Sequence, residues 1–184
     1  MTSLPELKTE RLILRGFRAE DAPALQLLAG EFEIADTTLN IPHPYPREMA
    51  DSWIASHPQL LAEHKNAFFA VTLKADRQLI GAVGLAIAKD FDRAELGYWV
   101  GKPFWGYGYC TEAAAAVINF GFIHLSLHRI HASYLSRNPA SGRVMEKLGM
   151  TREGFLRQHG KKWDKHEDLV FYGILRSDWA MKTP

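Results

Sequence analysis

The sequence predicts an α/β to α+β domain spanning residues 1–184, with a mixed, mostly antiparallel sheet flanked by helices. Three observations carry that expectation. Alternating apolar segments occur near both ends of the chain. Between them, a strand–helix–strand–helix run occupies residues 93–148. A strand, a crossover helix and a further strand in about thirty residues or more make a βαβ unit with parallel strands. Finally, 184 residues with 47% hydrophobic and 23% charged side chains suffice for one full core.

The elements follow in order. RLILRGF (Arg11 to Phe17) alternates polar and apolar, as a half-buried strand does. AEDAPALQLLAG (Ala19 to Gly30) reads as a helix with early acids and a closing glycine. EFEIADTTLNIPHPYP reads as a loop stiffened by Pro42, Pro44 and Pro46. REMADSWIASH is helical until Pro58, which is expected to end or kink it. AFFAVTLK, LIGAVGLAIA and RAELGYWV are strands. A helix then carries Ala114, Val117, Ile118, Phe122 and Leu125 on one face. HRIHASYL is a strand, NPASGRVMEKLG a short helix, and two strands surround KKWDKHED. Gly97 and Gly101 within one short strand point to a bulge or to close approach of another group.

Composition narrows the function classes. The formal net charge is +1, so no broad basic field points to nucleic acid or a membrane surface. Cys110 is the single cysteine, which precludes an internal disulfide and fits a reducing cytosol. The N-terminal MTSLPELKTERL has no apolar core segment, so a cytoplasmic location is expected, without signal peptide or membrane span.

The stretch KPFWGYGYCTEA places Gly106 and Gly108 between a strand and a helix. The first amides of a helix lack internal partners, and the helix dipole is positive there. Glycines allow such amides to converge on an anion. The stretch is not a P-loop, since no Gly-Lys-Ser/Thr follows. Thr111 at the third glycine position makes it a poor dinucleotide fingerprint. A plain glycine cap is the competing explanation. After the next strand, Asn138 is a good N-cap, Pro139 a good first helical residue and Gly149 a stop. In a βαβ unit both helix starts open on the same sheet edge, so Asn138 and Ser141 are expected beside the glycine loop.

ELGYWVGKPFWGYGYCTEA followed by NPASGRVMEKLGM resembles the GNAT superfamily of acetyl-CoA-dependent N-acetyltransferases. TERLILR and KHEDLVFYGILRSDW place the resemblance in the branch similar to ribosomal-protein N-terminal acetyltransferases, over nearly the whole chain. Pro103 stands where the superfamily often has Gln or Arg. The resemblance implies a GNAT fold, acetyl-CoA as cosubstrate and no metal. The backbone of Gly106, Tyr107, Gly108, Tyr109, Cys110 and Thr111 is then expected to hold the coenzyme pyrophosphate. The strand at Gly97, Trp99 and Val100 would admit the pantetheine arm, Asn138 would bond it, and Ser141 would lie near the sulfur. Arg143 or Lys147 would meet the 3′-phosphate, with solvated helix charges as the competing reading.

Acetyl transfer to an amine needs a base, and Glu95, sharing a strand face with Gly97 and Trp99, is the expected one. A solvent-facing strand glutamate is the alternative, as a plain first-turn serine is for Ser141. His43 and Tyr45 are expected to line the acceptor pocket. Cys110, at a helix start, raises covalent catalysis, but the resemblance implies direct transfer. His124, His128 and His131 read as surface histidines rather than metal ligands, as do His159 and His166. The acceptor is expected to be a primary amine, either a protein N-terminus or a small molecule such as an amino acid, polyamine or antibiotic. A non-catalytic coenzyme A sensor and a dinucleotide oxidoreductase are the other classes. Oligomeric state, monomer or homodimer, stays open.

Overall fold

A computed structural model describes residues 3–180; the first two and last four positions of the expected 1–184 unit lie outside the described residues. The strands are β1 (Leu7–Lys8), β2 (Leu12–Gly16), β3 (Asn66–Leu73), β4 (Leu79–Ala88), β5 (Arg93–Val100), β6 (Arg129–Leu135), β7 (Thr151–Lys162) and β8 (Lys165–Leu175). The helices are α1 (Ala22–Ala29), α2 (Phe32–Thr37), α3 (Arg47–Ala62), α4 (Tyr109–Ile123), α5 (Pro139–Lys147) and α6 (Arg176–Ala180). The strands form one mixed sheet in the order β1-β2-β3-β4-β5-β6-β8-β7. Every neighbouring pair is antiparallel except β5 and β6, which α4 connects.

Alternation along the strands sends side chains to two cores. Phe69 and Val71 of β3 join Val117, Ile118, Phe120 and Phe122 of α4 on one face. Ala70, between them, joins Leu25 of α1 and Ala50 and Ile54 of α3 on the other. The β7–β8 hairpin turns at Trp163 and Asp164, with φ of 50° and 61°, the left-handed pair that a two-residue hairpin requires.

Three expectations change. The loop after Gly30 contains α2, six residues long. It buries Ile34 and Ala35, and the hydroxyls of Thr37 and Thr38 close its end by donating to Glu33 O (2.6 Å) and Ile34 O (2.8 Å). Its sequence carries no capping side chain, so nothing local announces it. Pro58 does not end α3, which continues to Ala62. An interior proline costs about 3 kcal/mol. Burial of Ile54 before it and Leu61 after it, at about 1.5–3 kcal/mol each, outweighs that. Gly97 and Gly101 form no bulge with β4, because the β4–β5 register runs unbroken from Gly81–Val100 to Ala88–Arg93.

Candidate active site

The sheet opens at one place. Parallel pairing of β5 with β6 holds for Arg93–Arg129, Ala94–Ile130 and Glu95–His131, and stops there. Beyond Glu95 the two strands part, and their facing edges line a cleft of about 850 Å3 that runs through the sheet. Gly97 lies on that edge, where an added Cβ meets nothing within 4 Å. The glycine keeps the opening wide; it does not bend the strand.

One end of the cleft is built by the β5–α4 loop and α5. Gly106 and Gly108 both adopt φ of 82°, which only glycine accepts without strain. The helical ladder begins with Glu112 N–H donating to Gly108 O at 3.1 Å, so the amides of Tyr109, Cys110 and Thr111 precede it. A Cβ on Gly106 meets nothing within 4 Å, and one on Gly108 meets only Arg11 Nη2 at 3.6 Å. The loop is therefore a curled backbone with an open concave side and a positive helix end, which suits a diphosphate. Tyr107 is exposed and stacks on Tyr109, their ring centroids 5.7 Å apart.

A strut that the sequence reading did not foresee fixes this loop. Arg11 of the N-terminal TERLILR donates from its main-chain N–H to Glu112 Oε1 (2.8 Å) and from Nε to Oε2 (2.7 Å). Its Nη1 donates to Tyr107 O at 2.9 Å, and Thr9 Oγ1 donates to Glu112 Oε1 at 2.6 Å. Burial pushes the Glu112 carboxyl up, but these hydrogen bonds and the Arg11 charge outweigh it and hold the group below its ordinary range.

Asn138 and Ser141 stand beside the glycine loop, as the βαβ connection requires. Asn138 caps α5 by accepting from Ser141 N–H at 3.4 Å, and its Nδ2 donates to Thr37 O at 3.2 Å. One Oδ1 lone pair and one Nδ2 hydrogen stay available. The Ser141 and Tyr98 hydroxyls lie 2.9 Å apart, and Tyr98 also reaches Ser141 O at 2.9 Å. Burial raises the Tyr98 phenol far above its ordinary value, against the Ser141 hydrogen bond that lowers it. Tyr98 was missed because it faces the α4 core in the alternating strand; only the fold brings α5 to it. Arg143 and Lys147 are exposed on α5 along the cleft and enter no ion pair among the described residues.

Glu95 is exposed at the point where the strands part, with Gly97 and the half-buried Trp99 on the same face. Ser133 Oγ donates to Glu95 Oε1 at 3.2 Å. His131 is half-buried beside it rather than on the surface, and burial lowers its pKa, while the Glu95 charge opposes this. His124, His128, His159 and His166 are exposed. Among the described residues, no group of three His, Cys, Asp or Glu is placed to hold a metal ion. Cys110 lines the cleft, but burial pushes its thiol up to about 12, despite a backbone hydrogen bond from Val100. A helix start alone does not make a thiolate here.

The other end lies between α1, α2 and α3. Tyr45 lines it and is half-buried. His43 does not: its Nδ1 is 3.0 Å from Gly30 O and its ring packs edge-on to Phe32, outside the cleft. The β7–β8 hairpin straps the loop after α2. The buried Lys162 ammonium donates to Leu39 O (3.3 Å) and Ile41 O (2.5 Å), and Trp163 Nε1 donates to Asp36 at 3.1 Å.

Residues 11–151 match the family described as acetyltransferase (GNAT) domain. The chain belongs to the GNAT acetyltransferase family. An uncharacterized N-acetyltransferase of Bacillus subtilis, YoaA, is 31% identical over 173 residues, covering 94% of this chain and 97% of that one. A ribosomal protein uS5-alanine N-acetyltransferase of Escherichia coli is 25% identical, over 95% of this chain and 92% of its own. The crystal structure of a GNAT-family acetyltransferase from Bacillus anthracis superposes with a TM-score of 0.84 at 27% identity, covering 94% of this chain and 99% of that one. This GNAT protein is an acetyl-CoA-dependent acyltransferase, and the glycine loop, the split strands and α5 fit the coenzyme in outline. Among its described residues no helix is long and apolar enough to cross a membrane.

Proposed function

We propose that the protein transfers the acetyl group of acetyl-CoA to a primary amine, by direct attack while both substrates are bound, and that the amine is a polypeptide N-terminal α-amine. The observation that carries the reading is the position of Glu95, at the waist of a cleft that opens on both faces of the sheet. Acetyl-CoA supplies an acetyl group activated as a thioester. Glu95 accepts the ammonium proton of the incoming amine, directly or through one water. An α-amine has a pKa near 7.7–8.0, so a single exposed carboxylate near neutrality has little work to do, whereas a lysine-like amine near 10.4 leaves it more.

The amides from Gly106 to Thr111 bind the pyrophosphate, and the edges of β5 at Trp99 and Val100 orient the pantetheine amides. Ser141, hydrogen-bonded to the Tyr98 phenol that burial keeps protonated, stabilises the departing thiolate by hydrogen bonding, directly or through a water it holds, and the thiolate takes its proton from solvent. The high thiol pKa of Cys110 supports direct transfer over an acetyl-cysteine. Tyr45 contributes to the acceptor wall. The named activity of the uS5-alanine N-acetyltransferase, over most of both chains, supports the α-amine as acceptor class. Mass spectrometry of products after incubation with acetyl-CoA and pools of peptides and metabolites tests the reading. Acetylation at peptide α-amines is the expected result; acetylation confined to metabolite amines removes the polypeptide acceptor.

A further inference from the structure

We infer that the acceptor is a singly charged primary amine carried on an uncharged apolar body of aromatic size, and is neither a free amino acid nor a polyamine. This deepens the N-acetyltransferase reading and rests on it. The acceptor half of the cleft is walled by Leu25, Ile41, Tyr45, Met49, Trp53 and Phe68. Its polar lining, Thr37, Thr38 and Asn40, is neutral. Behind the wall, Trp53 and Phe68 pack with Phe17 and His57, the Trp53 and His57 centroids 4.3 Å apart. Both ring nitrogens of His57 are buried without a hydrogen-bond partner, and burial holds its pKa at about 4, so this group is neutral too.

The charges follow a simple pattern. Among the described residues Glu95 is the only acid lining the cleft, and the only bases lining it, Arg143 and Lys147, lie on α5 at the coenzyme end. Lys65 and Arg93 border Glu95 in a separate pocket away from the acceptor wall, Lys65 paired with Glu63 and Arg93 over the Phe91 ring. Charges flanking the acceptor wall are engaged. Glu33 pairs with Lys102, Asp36 and Glu167 pair with Arg137, and Lys162 is held by two carbonyls. A free amino acid seated on the acceptor wall would bring a carboxylate with no cation in that half of the cleft to meet it, and an unpaired buried charge is strongly disfavoured. A polyamine would bring further ammonium groups with one carboxylate to share. A single ammonium meets Glu95, and an apolar body meets the aromatic wall.

The test compares kcat/KM for phenylethylamine, phenylalanine amide, a phenylalanine-led peptide, free phenylalanine and spermidine. The first three are expected to exceed the last two by at least tenfold. A peptide that matches or exceeds the amide supports the class with protein N-termini as its source. A tenfold drop from amide to peptide supports it with small amines as the source. Free phenylalanine or spermidine within threefold of the best acceptor overturns the inference and leaves acetyl transfer standing. If none of the five reacts, the inference also falls, and the product survey decides separately whether the N-acetyltransferase reading falls with it. A variant checks the charge logic: Met49→Arg, at a 39% exposed position on the wall, is expected to improve free phenylalanine relative to its amide by about tenfold. An unchanged ratio of kcat/KM for free phenylalanine to that for its amide in a folded Met49→Arg protein overturns it.

Discussion

The two ends of the cleft are built in opposite ways. The coenzyme end is mostly local in sequence: a strand, two glycines with positive φ and a helix start, then an asparagine cap with Ser141 three residues on. The acceptor end is assembled from distant parts. Lys162 holds Leu39 and Ile41 across 123 and 121 residues, and Trp163 holds Asp36 across 127. Local construction suits the role proposed for this end, which is to serve one invariant ligand. Distant construction gives an end whose shape depends on two loops and a hairpin tip, where acceptor choice can change without disturbing the coenzyme site.

Substitutions at the two ends and at the waist between them are ways to break this division. The largest effect is expected at the waist. Glu95→Gln keeps the shape and removes the basicity, and kcat near neutral pH is expected to fall by about 10²–10⁴. Acetyl-CoA affinity, read by calorimetry, is expected to stay within twofold. The loss is expected to shrink at high pH, where free amine is abundant. A near-normal kcat at neutral pH would make Glu95 an ordinary strand glutamate.

At the coenzyme end, Gly108→Val forces a β-branched residue into the left-handed region, at about 1–2 kcal/mol or more, and crowds the Arg11 guanidinium that holds the loop. Acetyl-CoA binding is expected to weaken at least tenfold in a folded protein. Unchanged calorimetric affinity would misplace the cradle. At the acceptor end, Lys162→Met removes both bonds to the strapped loop. Each hydrogen bond from a charged group contributes about 1.5–3 kcal/mol, part of which is recovered because the buried charge also leaves. A rise of about 3–10-fold in acceptor KM is expected, with acetyl-CoA affinity unchanged. If both constants move together, the two ends are not separable.

The smallest effect concerns stability. His57 is buried neutral with a pKa of about 4, below its unfolded value near 6.5. Unfolding therefore takes up a proton below pH 6.5, and the contribution of this site is complete above that pH and lost progressively as pH falls toward 4. His57→Phe, in a cluster already aromatic, is expected to flatten the fall in melting temperature between pH 6.5 and 5. An unchanged slope would show that other groups set the acid limb.

The same contrast decides what could be read in the sequence. Strand β5 was legible to its end residues, and so were the glycine loop and the α5 cap, because periodicity, glycine spacing and cap chemistry act within a few residues. Helix α2, the continuation of α3 past Pro58 and the Lys162 strap were not, because tertiary burial decides each. His43 illustrates the limit. Its place in a proline-rich loop put it near the pocket, but a hydrogen bond to Gly30 O turns it away. The Arg11–Glu112 strut shows the reverse, a motif whose purpose emerges only when β2 meets the start of α4.

The central claim is that both substrates occupy one through-cleft together and react across the parting of β5 and β6. Initial rates with acetyl-CoA and amine both varied test it most directly, read beside the intact mass of the enzyme incubated with acetyl-CoA alone. Intersecting double-reciprocal lines, an unmodified protein and a Cys110→Ala variant that keeps most of its activity are the expected result. Parallel lines with a kinetically competent acetyl adduct on Cys110 would contradict it.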